Sequence, residues 1–204
     1  MNHYSRLMVI VVLTTMQLAI LTPLAIAGRV SGGVGVGLGT MRLGGRSFDY
    51  LTQSSRSQTV WLKNISLESS ISVRVFGHWH FGGELVSSEE EIGTRSGMIL
   101  ARLAPEITYF SPHRWFARLA IGYDNLEGNA YQSGSTIWSG QASGVGSTLK
   151  AGYRFPALRA VSLAPTLSWS HFNPEESHFG FGRKVTCNLF LLTLNLLFHG
   201  TGGI

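Results

Sequence analysis

The chain has 204 residues, with 16 Lys and Arg against 11 Asp and Glu and a formal net charge of +5 at pH 7. Charged residues make up only 13% of it, and no Lys/Arg-rich run of about five to eight residues occurs, so the basic excess is not a nucleic-acid footprint. A single cysteine, Cys187, excludes an intramolecular disulfide and a cysteine-based zinc site, and is expected to act as a small apolar residue.

The N-terminus has the pattern of a secretory signal. Met1 to Arg6 is short and polar, Leu7 to Leu24 is apolar and uncharged, and Ala25-Ile26-Ala27 is a small-x-small cleavage site before Gly28. Residues 1–27 are expected to be removed, leaving 28–204 as one domain of 204 − 27 = 177 residues. The competing reading is an uncleaved anchor helix, since the run is long enough to span a bilayer. The residue directly after the cleavage site is Gly28 and not a lipobox cysteine, which argues against a lipoprotein.

Beyond that point the apolar residues fall into short segments with a period of two, the period of strands. The first runs from Val30 to Leu43, where Val34, Val36 and Leu38 alternate with Gly33, Gly35, Gly37 and Gly39. Glycines on the inner wall of a narrow barrel are expected to make room for bulky side chains from the opposite wall. The second spans Gln58 to Leu67. The third, Ile71 to Phe81, puts Ile71, Val73, Val75, Gly77, Trp79 and Phe81 on one face, and Ser72, Arg74, Phe76, His78 and His80 on the other. The fourth to seventh span Gly97 to Tyr109, Trp115 to Tyr123, Gly144 to Phe155 and Ala160 to Phe172, with Leu103, Leu119, Leu149 and Leu167 among their outward residues. Pro105 and Pro165 fall inside strands and cannot donate to a ladder, so a bulge or a shifted boundary is expected at each.

The eighth segment, Val185 to Phe198, is the most regular. Phe190, Leu192, Leu194, Leu196 and Phe198 share one face; Cys187, Leu189, Leu191, Thr193, Asn195 and Leu197 share the other. An apolar outer face ending in an aromatic suggests a strand whose solvent is lipid. The connections alternate. Glu68-Ser69-Ser70, Phe110 to Arg114 and Pro156 to Arg159 are expected as short turns; Gly44 to Ser57, Gly82 to Ser96, Asp124 to Gly140 and Asn173 to Arg183 as long loops. That alternation fits periplasmic turns and exposed loops, and Trp61, Trp79, Tyr109, Trp115, Tyr123, Tyr153, Trp169 and Phe198 fall near strand ends as aromatic girdles. A soluble lipocalin-like barrel would be polar outside and apolar inside. Here the inward set includes Arg74, Arg102, Glu106, Arg118, Lys150 and Arg154. The fold class is therefore all-β, an eight-stranded antiparallel up-and-down transmembrane β-barrel.

The glycine-alternating first strand, Arg118-Leu-Ala-Ile-Gly-Tyr-Asp124, Leu149-Lys-Ala-Gly-Tyr-Arg-Phe155 with its following proline, and the aromatic-ended strand Phe190 to Phe198 resemble, in that order, the OmpA/OmpX and opacity-type eight-stranded outer-membrane barrels. The resemblance covers nearly all of residues 30–198; it departs at the end, where His199 to Ile204 follow Phe198. It implies localisation in a bacterial outer membrane, contact with outer-membrane lipids and lipopolysaccharide, and assembly by the barrel-assembly machinery through the C-terminal strand. It also implies a non-catalytic role in envelope integrity or adhesion, carried by four long extracellular loops that meet a surface ligand. No cofactor is expected.

Several constellations bear on other functions. The inward charges are expected to pair with one another and fill the lumen; the alternative is a narrow conduit or pocket for small solutes. His78 and His80, two apart on a strand, would share a face as a metal edge requires, but lack a third ligand; no metal is expected. Ser168-Trp-Ser-His-Phe-Asn173 is the one enzyme-like stretch. Outer-membrane lipid A deacylases carry a His-x-Ser pair near this place, but the residue two beyond His171 is Asn173, and Ser170 as a strand neighbour points to the opposite face. A lipid A-modifying enzyme is the remaining alternative. Glu89-Glu90-Glu91, and Tyr131 and Trp138 with Ile137 beside them, are expected in loops, as cation-holding or contact residues. Asn64-Ile-Ser66 is read as a chance glycosylation match.

Overall fold

A computed structural model describes residues 30–49, 54–90, 97–132, 135–158, 160–173, 176–177 and 186–199. The expected signal segment 1–27, Glu91 and Arg183 lie outside them. The described chain is all strand and turn: β1 (Val30–Asp49), β2 (Ser54–Phe76), β3 (Trp79–Glu90), β4 (Ile99–Phe110), β5 (Trp115–Gln132), β6 (Ser135–Tyr153), β7 (Phe155–Leu158), β8 (Val161–Phe172), β9 (Glu176–Ser177) and β10 (Thr186–His199). Each long strand pairs antiparallel with the next. The ring closes because β10 pairs both with β8 and with β1, from Ser31↔His199 to Gly44↔Thr186. Eight long strands form the wall, since β7 continues β6 past Arg154 along β8, and β9 adds a two-residue bridge to β6. Closure leaves no unpaired edge, the condition for strands to cross a bilayer.

Alternation decides which side of the wall each residue faces. On β8 and β10 every second residue is buried and the residues between are exposed. The exposed set is apolar: Leu103, Leu119, Ile121, Leu149, Leu167, Leu192 and Leu194 all face outward. Nine residues separate the aromatic ends of the belt, counted inclusively from Trp115 to Tyr123 on β5 and from Phe190 to Phe198 on β10. That is within the about 9–11 residues a tilted strand needs to span the hydrocarbon. On the turn side, Phe76, Trp79, Tyr109 and Trp115 form a row of tilted ring contacts with centroids 6.4, 5.0 and 5.3 Å apart, and Tyr153 meets Phe155 at 4.9 Å.

The structure redraws several boundaries. Glu68-Ser69-Ser70 is not a turn: β2 runs through it to Phe76, and the turn is Gly77-His78, where Gly77 takes φ +51°. A two-residue hairpin needs such a left-handed position, which glycine adopts without steric cost. Ile71, Val73 and Val75 therefore lie outward on β2, while Trp79 and Phe81 lie outward on β3. The expected first and third loops are largely ladder: β1 and β2 pair up to Asp49↔Ser54, and β5 and β6 up to Gln132↔Ser135. Tyr131 thus belongs to β5, and Ile137 and Trp138 to β6, while Glu89 and Glu90 end β3.

Neither proline makes a bulge. The β4–β5 ladder loses its pairs beside Pro105 between Leu103↔Tyr123 and Glu106↔Ala120, yet both pairs keep one register, and Pro105 still pairs with Gly83 on β3. Pro165 pairs in register with Leu194, and its other side faces the break between β6 and β7. Each proline leaves a gap in the ladder on one flank only, and the fully bonded flank holds the strand in place.

The β1 glycines also have a different neighbour from the one expected. A Cβ on Gly33 would fall 2.6 Å from Leu197 Cδ2, one on Gly35 would strike Asn195, and one on Gly37 would strike Thr193. These are cross-strand partners on β10. The glycines make room for the adjacent strand, because directly opposed residues have the closest Cβ atoms in a sheet.

Candidate functional site

The same alternation that puts leucines in lipid puts charge in the lumen. Glu68 (β2), Glu84 (β3), Arg102 and Glu106 (β4), Arg118 and Asp124 (β5) and Lys150 (β6) are all buried inside the ring. Arg102 and Asp124 face each other across the β4–β5 ladder and form a forked ion pair: Nε donates to Oδ1 at 2.5 Å, and Nη2 reaches Oδ2. Arg118 Nε lies 3.2 Å from Glu106 Oε2 and donates to Thr108 Oγ1 at 3.1 Å. Lys150 Nζ lies 3.0 Å from both Glu68 Oε2 and Glu84 Oε2.

The last contact crosses the molecule. In the ring order β1-β2-β3-β4-β5-β6-β8-β10, β6 and β2 are four strands apart in either direction, so Lys150 and Glu68 join opposite walls. Charges held in this low-dielectric interior are tolerable only as pairs. Hydroxyls and amides fill the space beside them: Thr148 and Ser170 share a 2.9 Å bond, and Asn195 Nδ2 donates to Thr166 Oγ1 at 3.0 Å and to Thr193 Oγ1 at 2.9 Å.

The charged layer sits between two apolar ones. On the loop side, inward Met41, Leu43, Leu62, Leu100, Phe172 and Leu189 pack into one cluster, with Cys187 buried among them. On the turn side, Phe116, Ala164 and Leu197 pack with Phe110.

Of the charges expected inside, Arg102, Glu106, Arg118 and Lys150 join the paired layer. Arg154 is buried lower down, its guanidinium 4.9 Å from the Phe110 ring centroid and donating through Nη2 to Ser111 O at 3.1 Å. Arg74 is half-buried beside the Gly77-His78 turn, where its Nε donates to Gly77 O at 2.7 Å. Sequence reasoning missed the acids Glu68, Glu84 and Asp124 by assigning them to a turn and two loops. Parity could have found them: Glu84 continues the inward series of His80, and Asp124 that of Arg118.

The other candidates separate. His78 lies in the turn, outside strand parity, with its ring 6.1 Å from Tyr109 of the outer belt; His80 meets inward Phe110 at 4.8 Å. The two do not share a face. His171 faces outward and bonds through Nδ1 to Asn188 Oδ1 at 3.0 Å, while Ser170 faces the lumen. Asn64 is buried inside the ring. On β10, Phe190, Leu192, Leu194 and Leu196 are exposed outward, and Phe198 is half-buried. No group of three or more His, Cys, Asp or Glu among the described residues could hold a metal ion.

Closure, an outward apolar belt with aromatic ends and an inward charged layer have one physical solution, a membrane-spanning barrel of the outer-membrane kind. The chain is an eight-stranded outer-membrane β-barrel. No family model matches it, and no curated protein does. Among solved structures it is similar to Neisserial surface protein A, at 12% identity and TM-score 0.47, covering 82% of this chain and 96% of that one. It is also similar to Ail, the attachment invasion locus protein of Yersinia pestis, at 10% identity and TM-score 0.46, covering 83% and 99%. OprG from Pseudomonas aeruginosa matches at 10% identity and TM-score 0.42, covering 86% and 100%.

Proposed function

We propose that this barrel is a non-catalytic membrane anchor whose extracellular side is its working surface, serving envelope integrity or adhesion. The observation that carries this reading is the Lys150 bridge between opposite walls, which fills the lumen at its midpoint. A barrel of eight strands encloses little more than its own side chains, and here those side chains are tied to one another. What remains to interact with a partner is the outside: the β1–β2 and β5–β6 ladders prolonged on the loop side, and the connections between strands. Lipopolysaccharide and outer-membrane lipids would meet the belt, and the barrel-assembly machinery would receive the β10 face of Phe190, Leu192, Leu194, Leu196 and Phe198.

The opposed directions of Ser170 and His171 support the absence of hydrolytic chemistry at that pair, since a base must reach the nucleophile it activates. The test is a pair of measurements. In planar bilayers the purified protein is expected to give no stable conductance steps. Cells expressing it are expected to gain adhesion or envelope resistance that is lost when residues 129–139 are replaced by a short turn joining the paired Gly128 and Gly140, and retained in the triple variant Lys150→Met/Glu68→Gln/Glu84→Gln, which removes the cross-wall bridge without leaving a buried charge unpaired. Stable ion conductance by the unaltered protein, or an altered lipid A mass profile on its expression that is lost on His171→Asn, would overturn the reading.

A further inference from the structure

The charges of this chain are sorted along the barrel axis. All 11 acids lie outside residues 28–48, 69–83, 107–123, 151–174 and 186–204. Those stretches supply every described strand end and turn on the periplasmic side. Four acids are in the lumen's paired layer, and none of the described residues at the periplasmic end is acidic. The arginines and histidines described there are Arg74, His78, His80, His113, Arg114, Arg154 and His199.

Arg154 is the centre of this end. Its side chain is buried, with the residue 7% exposed. It takes part in none of the ion pairs among the described residues, and its Nε has no hydrogen-bond partner there. It lies four residues below Lys150 on the same strand line, roughly 13 Å at the rise of a strand, and so away from the acids that neutralise the layer above. Two further guanidinium groups, Arg74 and Arg114, lie near it. Arg74 and Arg154 both act electrostatically on His80, Arg114 acts on Arg154, and Arg154 acts on His199. A buried guanidinium among cations, with one neutral carbonyl partner and an aromatic ring, has unmet demand for an anion.

Arg114 adds a second sign. It is the one non-glycine among the described residues with positive φ, 72°. Left-handed backbone is unfavourable for an L-residue, a strain that glycine would avoid. The Ser111–Arg114 turn is held by Arg114 N donating to Ser111 O at 3.2 Å and by Arg154 N donating to Arg114 O at 2.8 Å. A strained position occupied by a cation beside a buried, uncompensated cation is the kind of outlier that points to function.

We propose that the periplasmic mouth of the barrel is a binding site for a phosphate oxyanion, with the Arg154 guanidinium as its floor and Arg114 as its rim. A fork of N–H donors suits such a group better than a lysine ammonium. The oxyanion has two possible sources, a free phosphate from the periplasm and the headgroup of an anionic phospholipid in the adjacent leaflet.

The test uses the whole folded protein in nanodiscs of zwitterionic phosphatidylcholine, with the arginine Nε–H signals followed by NMR. One arm titrates inorganic phosphate. The other replaces part of the lipid with phosphatidylglycerol. The expected result is a saturable shift of the Arg154 Nε–H signal in at least one arm, the responding arm naming the source. Apparent affinity should fall at least about tenfold in Arg154→Gln, the order expected for a lost charged hydrogen bond, and be unchanged in Arg42→Gln at the opposite end. Arg114→Gly relieves the left-handed strain and so keeps the fold, and should weaken binding several-fold while raising resistance to heat. The proposal is overturned if neither arm shifts the signal, or if Arg114→Gly and Arg42→Gln behave alike. A shift with sulfate and chloride as large as with phosphate would mark a general counter-ion atmosphere only, and would also overturn it.

Discussion

Arg118 and Lys150 stand directly opposite each other on the β5–β6 ladder, both pointing into the lumen. Like charges in this position repel. The barrel tolerates the pair because each cation is claimed by acids from other strands, Arg118 by Glu106 and Lys150 by Glu68 and Glu84. The repulsion and its compensation make the layer a single unit, in which removal of one member exposes the rest.

Lys150→Met should therefore be costly out of proportion to one contact. It leaves two carboxylates buried without their cation, a loss of roughly 3–5 kcal/mol. Adding Glu68→Gln and Glu84→Gln should recover much of that. Urea unfolding in lipid vesicles of the single and triple variants checks this; a triple variant less stable than the single would contradict it.

Arg102 and Asp124 should show strong coupling in a double-mutant cycle with Arg102→Met and Asp124→Leu, about 1 kcal/mol or more, because each is the other's buried partner. Gly146 offers an independent probe. A Cβ there would fall 2.6 Å from Arg102 Nη2 and strike Asp124. Gly146→Val should cost on the order of 1–3 kcal/mol, as overpacking does.

Gly35→Val should be destabilising by a similar overpacking penalty, since it displaces Asn195 and breaks that residue's bonds to Thr166 and Thr193. The double variant Gly35→Val/Asn195→Ala should be more stable than Gly35→Val alone. If the glycine served the opposite wall, the second change would bring no recovery.

Leu194 distinguishes lipid from water as the outer solvent. It is 56% exposed at the middle of β10. On a soluble protein, replacing such a leucine with arginine would be nearly neutral. In a bilayer Leu194→Arg should cost about 2–4 kcal/mol, read by unfolding titrations in vesicles, while His171→Arg near the belt's edge should cost far less.

Much of this architecture is legible in the sequence because a barrel wall is periodic. Leu192, Leu194 and Leu196 face out for the same reason that Thr193 and Asn195 face in. What escaped was length. Glu68-Ser69-Ser70 and Gly82-Gly83-Glu84 have turn-like composition, and in a soluble sheet they would end strands. Inside a closed ring, small and polar inward residues are acceptable, so β2 and β3 pass through them and the turn falls at Gly77-His78. That boundary error concealed the charged layer, since it moved Glu68 and Glu84 out of the wall and left Lys150 without its partners. The prolines misled in the opposite way: Pro105 and Pro165 suggest bulges, but each is held in register by the strand on its fully bonded side.

The most direct test of the central claim is migration on SDS gels, with and without boiling, of the protein recovered in an outer-membrane fraction. A closed barrel of eight strands resists SDS when cold, so the unheated protein should run as a separate band that converts on heating to the position of the unfolded chain. One band at the same position under both conditions, with the protein in the soluble fraction, would contradict the barrel and everything argued from its two faces.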